Sequence, residues 1–162
     1  MWKGIGVPPS YGQLFGGVVE AVGVLGVLLV WVNRLRVRGL KPEVITRMAV
    51  GLVGTFVVST VLYLFLFQLC VIDHPEYGSF YFPLWPTGEL AWMIRETGGR
   101  FEAIHRYGLF PVERAILNTP AALITATTVV LLVIYQAIFT SLAVCFAIVG
   151  IGGERHRPNH RG

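Results

Sequence analysis

The sequence predicts an all-α integral membrane protein, with three transmembrane helices and short amphipathic helices in a long outer loop between helices two and three. Three observations predict it. Hydrophobic residues make up 54% of the chain and charged residues 14%, where a soluble domain carries about a quarter charged. The apolar residues fall into three runs, each long enough for a hydrocarbon core of about 30 Å. The basic residues gather just outside those runs, the pattern that sets membrane topology. The net charge of +4 therefore reads as topology rather than as a nucleic-acid surface, for which a basic stripe with interleaved aromatics is needed. The whole of residues 1–162 reads as a single membrane domain.

The first span covers residues 11–32. Ser10 and Gln13 have the spacing of a capping box. Its glycines permit close helix contact in a membrane, and Gly12, Gly16, Glu20 and Gly23 share one helical face. A basic connection follows, carrying Arg34, Arg36, Arg38 and Lys41. Pro42 suits the first position of the next helix. The second span covers residues 45–72, with a small-residue stripe at Gly51, Thr55 and Ser59. The third covers residues 120–151, opened by Thr119 as cap and Pro120 at the first position. Residues 152–162 form a polar tail. The basic connection and the tail predict a cell-membrane protein whose N-terminus lies outside and whose C-terminus is cytoplasmic.

Residues 73–119 hold six of the nine acidic residues and two of the four histidines. The aromatic and proline-rich stretch from Asp73 to Pro86 predicts an extended strip at the membrane interface. Residues 88–97 predict a short helix with Leu90, Met93, Ile94 and Thr97 on one face and Glu89 and Glu96 away from it. Residues 100–109 predict another, with Phe101, Ile104, Gly108 and Leu109 on its apolar side, and residues 111–117 a third. Helices of two turns do not fold alone. This predicts an interfacial cap without a core of its own, finished by the bilayer, the span ends or another subunit.

Glu20 is the acid placed well inside an apolar run, about 15 Å from its outer end. A carboxylate there is costly and marks a functional candidate. Tyr63, Thr127 and Thr128 fall at a similar depth by residue count, and Gln136 falls deeper. Glu20 has two readings: a proton or cation site, or a group hydrogen-bonded to a neighbouring helix. The spans supply no second intramembrane acid and no basic partner at that depth, which weighs against a complete transport path in one protomer. His74 and His105, with Asp73 and Glu76, form a weaker outer candidate, because their spacing fits no zinc signature. His156 and His160 belong to the tail. Cys70 and Cys145 fall near opposite membrane faces, too far apart for a disulfide. No nucleophile triad, phosphate loop or dinucleotide motif is present, and no catalytic residue, cofactor or metal is predicted.

The function expected is that of a small non-catalytic subunit of a larger integral membrane complex, of respiratory or transport type. Its partners are the lipid bilayer and other membrane subunits, or further copies of itself, with no nucleic acid. The alternatives are a homo-oligomeric ion channel or transporter built on Glu20, and a membrane-surface enzyme with its site in residues 73–119.

Overall fold

The computed structural model describes residues 12–74 and 78–153. Ser10, Glu76, His156 and His160 lie outside them, as do the side chains of Gln13 and His74. The described chain is mostly helical. Its elements are α1 (Gly12–Val32), α2 (Arg34–Gly39), α3 (Pro42–Cys70), β1 (Val71–His74), β2 (Gly78–Tyr81), α4 (Gly88–Thr97), α5 (Arg100–Tyr107), α6 (Leu109–Leu117) and α7 (Ala121–Gly153). They group into two compact units. Among the described residues, one holds 63–132 and the other 12–62 with 133–153.

Two helices are long and apolar enough to cross a membrane, Pro42–Cys70 and Ala121–Gly152. Their apolar side chains are not hidden in a protein core: 6% and 17% of their most apolar stretches are buried. In α1 the described apolar stretch is shorter, Glu20–Val32.

In the second unit α7 packs against α1 and α3. A Cβ on Gly26 would lie 3.2 Å from Val144 Cγ2 and 3.6 Å from Thr140 Cγ2, so the two helices approach closely because this position has no side chain. Gly152 packs against Ile45, and the Cys145 thiol points at the Ala49 carbonyl, 3.9 Å away. Gly26→Leu is expected to destabilise the protein by about 1–3 kcal/mol through overpacking. Gly23→Leu faces open space and is expected to cost less. Thermal unfolding of both variants checks the contrast.

The basic connection after α1 is itself helical over part of its length. Arg34–Gly39 continues as a helical turn beyond a break at Asn33, whose side-chain amide donates to the Leu29 carbonyl at 2.8 Å. Arg and Leu are good helix formers, and the run lacks a breaker before Gly39. Pro42 opens α3 as predicted.

The second predicted span overruns by two residues. The helix stops at Cys70 because Val71 and Ile72 enter an antiparallel hairpin, with Val71 opposite Tyr81 and Ile72 opposite Phe80. β-branched and aromatic residues favour that pairing. The predicted extended strip is therefore partly a paired hairpin. Its alternation divides the side chains: Phe80 and Phe82 enter a core, while Tyr81 turns to α7.

That core overturns the expectation that residues 73–119 lack one. Phe80, Phe82, Leu90, Met93, Ala103, Ile104, Val112 and Ala115 form a buried cluster, with Ile72, Ile94, Tyr107, Leu109 and Ile116 packed on it. Each helix is too short to stand alone, but three helices and a hairpin folded together cover one another. The turns permit it. Gly98 ends α4 at φ 82° and Gly108 joins α5 to α6 at φ 81°, left-handed values that a side chain disfavours. The apolar face of α4 is as predicted, with Glu89 and Glu96 outside. The helix predicted over residues 100–109 ends at Tyr107, with Gly108 the turn after it and Leu109 the start of α6, and within α5 one further residue is misplaced. Phe101 is exposed, and the small Ala103 takes the inward place beside Ile104. Nor does Thr119 cap α7. Its hydroxyl donates back to the Ala115 carbonyl at 3.1 Å and so closes α6.

Candidate functional site

Arg100, at the start of α5, bonds to three backbone carbonyls. A helix leaves its last carbonyls without partners and carries partial negative charge at that end. At the end of α3 the Arg100 guanidinium donates to the Leu69 carbonyl, and the Phe82 N–H donates to the Cys70 carbonyl at 2.7 Å. The same guanidinium donates to the carbonyls of Pro83 and Leu84, at 3.0 and 3.2 Å, and lies 5.8 Å from the Phe82 ring centroid. Burial pushes Arg100 below the usual arginine range, and Cys70 beside it pushes the other way.

Residues 82–84 are also tied to α7. The Leu84 N–H donates to Thr127 Oγ1 at 2.9 Å, and that hydroxyl donates to the Leu123 carbonyl at 2.8 Å. One residue on, Thr128 Oγ1 lies 3.2 Å from the Tyr81 hydroxyl. Thr127 and Thr128 are buried, and their hydroxyls are used to fasten the hairpin. Burial pushes Tyr81 above the usual tyrosine range, the bond to Thr128 opposes this, and Cys70 adds to it. A tyrosine whose folded pKa is raised stabilises the fold fully below its unfolded value, about 10, and that contribution is lost as pH rises through the folded value. Unfolding midpoints measured from pH 9 to 12 are expected to fall more steeply for the wild-type protein than for Tyr81→Phe.

The predicted intramembrane polar set is divided between the two units. Tyr63, Thr127 and Thr128 belong to the first, Glu20 and Gln136 to the second. Tyr63 is fully buried and stacks on Phe67, with ring centroids 5.7 Å apart. Gln136 donates to Thr140 Oγ1 at 2.7 Å along its own helix.

Glu20 is exposed on α1 and lines an open groove of about 450 Å³ between α1 and α7, with Gly23, Val24, Val27, Leu28, Phe139 and Ala143. Among the described residues the other lining groups are apolar. Gly12 and Gly16 lie in α1, but their surroundings fall outside the described residues. Gly51 has open space where a side chain would stand, and the Thr55 hydroxyl turns back to the Gly51 carbonyl at 3.0 Å. Ser59 is half-buried in the same helix.

His105 lines a second open groove, also of about 450 Å³, with Glu96, Thr97, Phe101, Glu102 and Arg106. Arg106 pairs with Glu96 at 3.1 Å, and the Tyr107 hydroxyl donates to the same carboxylate. That bond raises the Tyr107 pKa. His74 lies on β1, and its side chain is outside the described residues. Among the described residues no three His, Cys, Asp or Glu side chains gather as a metal site, and Cys70 and Cys145 are free thiols.

Sequence reasoning missed Arg100. Its signal was faint: it reads as one more surface arginine after Gly98-Gly99, and only the hairpin's return brings three carbonyls to it. Compared with protein-family models, curated proteins and solved structures, the chain matches none.

Proposed function

We propose that this chain is a three-span integral membrane protein that serves as a non-catalytic subunit of a larger membrane complex. The observation that carries the reading is the apolar surface of the long helices. Val50, Val58 and Phe65 on α3 and Val133 and Phe146 on α7 are each more than 60% exposed, which water would penalise and lipid or a partner helix accepts. A core helix of a soluble protein is mostly covered, and these are not. α1 supplies the third span. The basic run at its end favours that end as cytoplasmic, with residues 73–119 on the outer side. Arg34 lies over the Trp31 ring at 4.6 Å, a pairing suited to the headgroup level.

The subunit role rests on Glu20. Within a membrane a carboxylate in an open apolar groove is costly, and a helix from another chain, offering a hydroxyl, amide or basic group, would relieve that cost. The open Gly51 and Thr55 stripe provides a further place for close contact.

Purification in mild detergent, followed by native mass spectrometry, tests the reading. Other membrane proteins are expected in stoichiometric amounts, and Glu20→Leu is expected to reduce their recovery. A homo-oligomer that conducts ions after reconstitution, with conduction altered by Glu20→Gln, would replace the subunit reading with the channel reading. A monodisperse monomer in native membranes would remove both.

A further inference from the structure

We infer that the outward face of α6 docks on the bilayer surface, with Phe110 and Leu117 among the acyl chains and Arg114 on lipid phosphate. This rests on the membrane reading above and adds a lipid contact to it. The helix has two apolar faces. Val112 and Ala115 point into the core. On the opposite side, at helical spacing, stand Phe110, Arg114 and Leu117, with Glu113 on the flank. Phe110 is 79% exposed and Leu117 75%, so neither contributes to the core, and an apolar pair so placed needs a cover other than water.

Chain continuity names the cover. Residues 118–120 join α6 to α7, a reach of at most about 11 Å. The connection is held in place: the Thr119 N–H donates to the Ile116 carbonyl at 3.0 Å and its hydroxyl to Ala115 at 3.1 Å. The end of α6 is therefore fixed beside the point where the apolar helix α7 begins. In the same unit Phe65 and Leu69 of α3 and Val129 of α7 are exposed. An apolar pair flanking a cation on a surface helix is the arrangement by which an interfacial helix inserts its side chains while arginine reaches the phosphates.

Photo-crosslinking tests this. A benzophenone amino acid replaces Phe110, Leu117 or, as a mid-span control, Val57, in full-length protein reconstituted into vesicles of phosphatidylcholine and phosphatidylglycerol. Mass spectrometry reads the adducts. Lipid adducts are expected at all three positions. Arg114→Gln is expected to lower the yield at Phe110 severalfold, through loss of one interfacial cation; an unchanged yield would overturn the phosphate contact. Lipid adducts at Val57 but not at Phe110 or Leu117 would overturn the docking and leave the membrane reading standing. Adducts only to protein at Phe110 and Leu117 would assign the face to a partner or second copy instead. The absence of lipid adducts at Val57 would reject the membrane reading itself.

Discussion

Arg100→Ala is expected to destabilise the protein by about 2–3 kcal/mol, on the scale of hydrogen bonds to a charged group. Three carbonyls lose their donor at once: Leu69 at the end of α3, and Pro83 and Leu84 in the returning strip. The negative end of the α3 dipole also loses its cation. Arg100→Lys is expected to recover a minor part, because an ammonium is a point charge without the planar fork that reaches separate acceptors. Thermal unfolding in detergent, followed by circular dichroism, gives the ranking wild type, Lys, Ala. Limited proteolysis within residues 82–87 is expected to accelerate in the same order. Equal midpoints for all three proteins would show that the clasp contributes nothing.

Ile104→Ala is expected to cost about 2–5 kcal/mol, the range for truncating a buried aliphatic side chain. Ile104 is fully buried, at the centre of a cluster drawn from α4, α5, α6 and the hairpin. Phe101→Ala, three residues away on the same helix at a position 44% exposed, is expected to cost less than Ile104→Ala. A bilayer or a partner supplying the apolar cover of α5 would reverse this order, since Phe101 would then be the contact residue. Unfolding midpoints for the two variants therefore test the cap's own core directly.

Much of the architecture was legible in the sequence because it depends on local patterns. Apolar length marked α3 and α7. Pro42 marked the start of α3 and Gly98 the end of α4, whereas Gly108, expected on the apolar face of a helix over residues 100–109, is the turn between α5 and α6. The alternation in α4 identified Leu90 and Met93. What failed was non-local. Nothing near Val71 announces that Phe80 will pair across from Ile72, since register depends on two separated stretches meeting. Phe101 and Ala103 were exchanged because size argues for burying Phe, while the space between packed short helices admits Ala. The candidate site was legible only in part. Glu20 stood out by its setting, and the structure places it in an apolar groove. The depth argument placed Thr127 and Thr128 with it, whereas their hydroxyls fasten the strip at residues 81–84.

The strip at residues 82–84 has one further consequence. It is bonded to the end of α3 through Cys70, to α5 through Arg100 and to the start of α7 through Thr127. Piston-like sliding of α3 past α7 at this end would break bonds to both helices together. Under the membrane reading, any opening between α3 and α7 at this end would first have to break these bonds.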